Sequence, residues 1–232
     1  MQTALITTNE AMPAHLAGVG AIGNENIGAD TLATPRLYLL QALSDQVVKG
    51  NPNYVAGAQS GMFLNSISNE LYDELWAANL FMTRLYNVNK KRIFGQKEWK
   101  GTFPSVEAAV AKLTADGCNV ADYDIVDTHI HTLAIVDPVS GNILTPVQYS
   151  MKGTALRESR AWNSNIVTHG PSVPRFSSIW KMTSKLNTNN KGSWYTPQFS
   201  FAGWSPEPMY AELNTLFQGL RPQGATVTEI DI

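Results

Sequence analysis

Residues 124–137 read DIVDTHIHTLAIVD, and the fold turns on what this run becomes. Its β-branched residues and its alternation of polar with apolar side chains predict one long strand. Pro138–Asn142 carries turn chemistry, and Ile143–Met151 reads as the strand that returns. On the amino-terminal side lies PSVEAAVAKLTADG (104–117), a helix that Ser105 can cap and Gly117 can end. Earlier still, Asn79–Tyr86 (NLFMTRLY) is expected to be a strand. A turn around Asn87–Lys90 would lead it back through Lys91–Phe94 as a hairpin. GMFLN (61–65) is a short strand, RLYLLQAL (36–43) a strand or a short helix, and residues 43–60 are loop-like.

On the carboxyl-terminal side, Gly153–His169 reads as a helix. Ser177–Leu186 and Trp194–Trp204 flank the turn-rich NTNNKGS and form a long hairpin. Pro206–Gly219 is an amphipathic helix. The expected class is α+β: an OB-like β-barrel core with an added basic, aromatic hairpin and a C-terminal helix. An OB-fold sets its helix between its third and fourth strands, an order this chain shares with many α+β domains. Residues 1–34, rich in Ala, Gly, Asn and Thr, are expected to be a flexible arm with a short helix near Ala11–Gly18. Residues 35–220 would be a single domain including hairpin 177–204 and helix 206–219, and 221–232 a polar tail.

Composition removes several classes of function. Cys118 is the single cysteine, so an intrachain disulfide and a cysteine-rich zinc site are ruled out. The first 18 residues lack the features of a secretory signal, and no run approaches the ~20 apolar residues of a membrane helix. A cytoplasmic protein without a membrane partner is expected.

Charge is segregated along the chain. Residues 84–100 and 149–197 hold 13 of the 17 basic residues and 2 of the 19 acids, a net of +11. The remainder, with 4 basic residues and 17 acids, nets −13. Aromatic residues interleave with the cations: Tyr86, Phe94 and Trp99 in the first segment, and Tyr149, Trp162, Phe176, Trp180, Trp194 and Tyr195 in the second. Cations follow a phosphate backbone and exposed rings stack on unpaired bases. Large rings also carry core burial energy, so most of these are expected inside. The candidate nucleic-acid-binding residues are Arg84, Lys90, Lys91, Arg92, Lys152, Arg157, Arg160, Trp180, Lys181, Lys185, Lys191, Trp194 and Tyr195. The densest contacts are expected on the hairpin, with Trp194 pointing outward and Tyr195 inward by strand alternation.

Catalytic motifs fail on context. Strand periodicity puts Asp127, His129 and His131 on one face, where two imidazoles could grip a metal. The pair resembles the His-x-His strand of amidohydrolases. That family needs a barrel of roughly 250 residues with further ligands downstream, and only His169 follows here. An exposed polar strand face is the expectation, with no metal, no cofactor and no catalysis. Gly18–Gly23 (GVGAIG) has dinucleotide-fingerprint spacing but lacks the preceding strand. The terminal EIDI is read as a frayed end, its other reading being an acidic segment that docks on a partner.

PRLYLLQALSDQV (35–47) followed by GMFLNS (61–66) resembles a stretch found in tailed-phage proteins, some of them single-stranded-DNA-binding proteins with OB-like cores. The likeness covers about 30 residues closely and carries no catalytic motif. It implies a replication, recombination or transcription accessory protein of an infected bacterial cell that coats unpaired DNA. In podoviruses with their own RNA polymerase such a protein can recruit that polymerase. Homo-oligomerisation is compatible with this reading. The alternative is a protein-interaction or virion-assembly module whose basic segments face an acidic protein.

Overall fold

The computed structural model describes residues 35–91, 98–190 and 192–221. The expected arm and the tail from 222 onward, Arg92, Phe94, Lys97 and Lys191 therefore lie outside the described residues, as does the GVGAIG motif.

The run DIVDTHIHTLAIVD lies, but for its last residue, in one strand, β6 (Tyr123–Val136). Antiparallel to it on one side lies β7 (Ile143–Lys152) and on the other β4 (Leu75–Lys90). Strand β4 is 16 residues long and passes straight through the expected turn at Asn87–Lys90. The reason is pairing: β6 accompanies β4 as far as Lys90, opposite Tyr123, so ending it early would strand backbone groups. Strand β5 (Trp99–Phe103) pairs back along β4, and the expected return segment lies, beyond Lys91, outside the described residues.

Three short strands, β1 (Arg36–Leu39), β2 (Phe63–Asn65) and β3 (Leu71–Tyr72), and the hairpin β8 (Ser178–Asn189) and β9 (Gly192–Trp204) complete the sheet. Its order is β3-β2-β1-β7-β6-β4-β8-β9, with β5 alongside the distal half of β4. Every pairing is antiparallel except β1 with β7. Helices α1 (Val106–Ala115), α2 (Ala155–His169) and α3 (Glu207–Leu220) fall close to where the sequence places them, and Ser105 Oγ accepts the Ala108 N–H at 3.1 Å as the cap of α1. The architecture is mixed α+β with a strongly curled sheet.

The two sheet faces carry different loads. One packs on α2: Trp162 and Ile166 meet Leu133, Ile135, Val147, Tyr149, Met151, Trp180 and Met182. The other, at one end only, packs on α3: Leu213 meets Ala78, Leu80, Ala134, Val136, Phe176 and Ile179. Strand β4 serves both faces through a bulge. Asn79 stands opposite Leu133 and Phe81 opposite Thr132, so Leu80 is an extra residue, and it is buried in the α3 core. Beyond the bulge, Asn87 and Asn89 share a face with Thr128 and Ile130, while Arg84 and Tyr86 share the other with Asp127 and His129.

Curling brings β9 round to the loop after β1. Tyr195 N–H donates to Gln41 Oε1 at 2.8 Å, and Gln41 Nε2 donates to the Tyr195 carbonyl at 3.1 Å. Pro197, two residues along on the same edge, has no N–H to satisfy. Gly61 sits beneath the Tyr195 ring with φ +94, and a Cβ there would come within 2.6 Å of that ring. Only glycine meets both demands.

Candidate nucleic-acid interface

Helix α3 covers one end of its sheet face and leaves the other open. The ladder aligns Arg36 with Gln148, Ile130 with Ser150, Thr128 with Lys152, and Asn87 with Thr102. These residues, with Tyr38, Asn89 and Trp99, line a half-open groove of about 740 Å³, bounded on its far side by Trp194, Tyr195 and Pro197. Among the described residues that line it none is acidic, and two, Arg36 and Lys152, are cationic and exposed.

Two rings stand at opposite margins. Tyr38 on β1 is 41% exposed and Trp99 on β5 is 62% exposed. Strands β7, β6 and β4 separate them, four inter-strand steps or roughly 19 Å measured across the strands, with a further offset along the strand direction. Between them, Asn87 Nδ2 donates to Thr128 Oγ1 at 2.9 Å and its Oδ1 accepts from Thr102 at 2.8 Å, so this amide stiffens the floor. Asn89 and Gln148 make no such side-chain bonds among the described residues and offer a donor and an acceptor each to whatever lies in the groove.

The opposite face holds a buried polar chain. Arg175 Nε donates to Asn79 Oδ1 at 2.9 Å, which turns Asn79 Nδ2 toward His131 Nδ1 at 2.9 Å. His131 must then carry its proton on Nε2 and donate to Ser159 Oγ at 2.7 Å. The Ser159 hydroxyl proton goes to His129 Nδ1, also at 2.7 Å, and His129 Nε2–H faces Asp127 Oδ1 at 4.0 Å. Every donor points the same way, from Arg175 to Asp127. Burial lowers the pKa of both imidazoles, His131 most, and lowers Arg175 to about 10; Asn163 Oδ1 also accepts from the Arg175 guanidinium. Asp127 is held below the usual carboxylate value chiefly by its two hydrogen bonds from Arg84, at 2.9 and 3.0 Å.

This corrects the expectation of an exposed polar strand face. The two histidines do share a face, but α2 covers them and Ser159, a helix residue, ties them together. Ser159 is itself fully buried, so Asp127, His129 and Ser159 do not form a nucleophile open to substrate. Among the described residues no group of three or more His, Cys, Asp or Glu could hold a metal ion.

The candidate binding residues fall into five groups. Lys152, Trp194 and Tyr195 line the groove. Trp194 is only partly exposed and its indole nitrogen is shielded, so it does not project as an outward ring. Several cations are engaged within the protein: Arg84 with Asp127, Lys90 with Glu98 at 3.4 Å, Lys91 with the Ala121 carbonyl at 2.8 Å, and Lys181 with Glu74 at 2.6 Å over the Trp76 ring. Arg157 and Arg160 are exposed on α2 and Lys185 on β8. Trp180 is corrected outright. It is 1% exposed, sits between Trp162 and Phe201, and donates Nε1–H to Ser178 Oγ, so no base can reach it. Arg92 and Lys191 lie outside the described residues.

Sequence reasoning did not find Arg36, Tyr38, Asn87, Asn89, Thr102 or Gln148. The available signal was polar residues at every second position of β4's distal half, which marks an uncovered face. Among the described residues no helix is long and apolar enough to cross a membrane. A family model described as Pam3 phage gp34-like protein matches residues 6–225. No curated protein and no solved structure matches the chain.

Proposed function

The chain belongs to the Pam3 phage gp34-like protein family, and on that premise we propose that it binds single-stranded DNA, with little regard to sequence, in phage replication, recombination or transcription. The supporting observation is the groove, whose described lining residues include no carboxylate, with a ring at each margin and amides between. A polyanion is attracted to Arg36 and Lys152 and meets no opposing acid among the described residues of the groove lining. Unpaired bases stack on Tyr38 and Trp99, which duplex bases, already stacked on one another, do only after melting. The curled sheet acts in this reading as an OB-like core that offers one polar face to the strand. The protein makes and breaks no covalent bond, and it works inside the host cell.

Fluorescence anisotropy tests the reading directly. A labelled oligodeoxythymidylate of ~15 nucleotides should bind more tightly than a duplex of the same length and quench Trp99 emission. Equal or tighter binding to duplex, or no binding, would overturn it.

A further inference from the structure

Lys152, at the end of β7, stands opposite Thr128, and Asp127 is the next residue of β6, on the other face. The chain turns at Gly153 and Thr154 and begins α2, whose first two turns carry Arg157 and Arg160 on one side of the helix. Arg160 Nη2 lies 3.7 Å from Asp127 Oδ2, the oxygen that Arg84 Nη2 also holds at 2.9 Å. Both arginines remain open to solvent, Arg84 53% and Arg160 64% exposed, while Asp127 beneath them is 20% exposed. Glu158, the acid on this stretch of helix, lines a separate small cavity beside Gln198 and Phe199. Cations therefore continue from the groove, round the free end of β7, onto the α2 face.

We propose that Arg84, Arg157 and Arg160 form a second phosphate subsite, and that a strand lying in the groove continues over the β7–α2 turn onto it. This rests on the single-strand-binding reading above. Asp127 sets the strength of the subsite. It holds Arg84 in a bidentate grip and draws in Arg160, and so orients both guanidinium groups while cancelling one of their charges. The groove alone accommodates a short strand and the subsite engages only a longer one.

The test uses the full chain and labelled oligodeoxythymidylates of ~5 and ~15 nucleotides, the span of sites that single-strand-binding folds cover. An Arg157→Gln/Arg160→Gln variant should lose about tenfold in affinity for the long probe and nothing for the short one. Asp127→Asn should tighten the long probe about fivefold and steepen its log–log salt slope by about 0.7, one added phosphate contact. A gain in affinity cannot come from unfolding, so this variant separates the subsite from damage to the fold. If the double variant binds both lengths like the parent, or Asp127→Asn fails to tighten the long probe, the subsite does not exist and the groove stands alone. If the parent binds neither probe, the groove reading falls and the subsite with it.

Discussion

Gln41 grips the backbone of Tyr195 at both its N–H and its carbonyl, and thereby does for β9 what a neighbouring strand would do. One carboxamide, 154 residues away in sequence, occupies the edge where the curled sheet comes back on itself.

Each of those bonds contributes about 1 kcal/mol net. Gln41→Ala should therefore cost about 2 kcal/mol and lower Tm by roughly 4–8 °C in a domain of this size. Gln41→Glu should be no better than Ala, since a carboxylate accepts from the N–H but turns an oxygen toward the carbonyl. Thermal unfolding monitored by circular dichroism gives the ranking. A glutamate variant as stable as the parent would contradict this geometry.

Trp99 and Trp180 should respond in opposite ways to replacement by alanine. Trp99 is mostly exposed, so its loss should weaken oligonucleotide binding by ~1–3 kcal/mol and leave Tm nearly unchanged. Trp180 is enclosed, so its loss should cost about 3–5 kcal/mol of stability. Paired denaturation and anisotropy measurements on both variants check the contrast.

Salt dependence separates the groove from the hairpin. Arg36→Gln/Lys152→Gln should flatten the log–log salt slope by about 1.4, at ~0.7 per phosphate contact. Lys185→Gln changes a residue outside the groove lining and should move the slope by much less. The opposite order would return the binding surface to the hairpin.

Acid should destabilise the fold through the buried histidines. Folded, both have lowered pKa values and stay neutral; unfolded, they take up protons near the ordinary value of 6.5. Below that point the unfolded state binds more protons, so this stability is complete above about pH 6.5 and is lost as pH falls toward the folded values. The slope approaches about 1.4 kcal/mol per pH unit for His131, whose value is lowered most, and is smaller for His129. Urea titrations at neutral and mildly acidic pH should show it, and His131→Gln should remove the larger share of it.

Local chemistry made much of this architecture legible. Alternation in 124–137, the Ser105 cap and the NTNNKGS turn each depend on residues a few positions apart, and each marked an element that forms. The end of β4 was not legible in the same way. Asn87–Lys90 has turn composition, yet pairing with β6, some 35 residues downstream, keeps it extended. The histidines misled for a related reason. A polar strand face reads as exposed unless the residue that will satisfy it is known, and Ser159 lies 28 to 30 residues away in a helix. Charge counting located cations but not their partners, and Glu74, Glu98 and Asp127 engage four of the candidates. The groove was hidden because most of its polar residues are uncharged and its lining comes from six strands brought together by the curled sheet.

The bulge at Leu80 determines which surface each half of β4 presents. By accommodating Leu80 out of step, the strand keeps Asn87 and Asn89 toward the groove and Arg84 toward Asp127. Had the same residue been taken up by simple alternation, every side chain beyond it would have changed sides: the amides would lie toward α1, where Val88 now packs, and the arginine would face the groove. The chemical identities of the two faces are thus coupled through one apolar residue that touches neither, and a lineage carrying an insertion or deletion next to it would exchange one surface for the other in a single step.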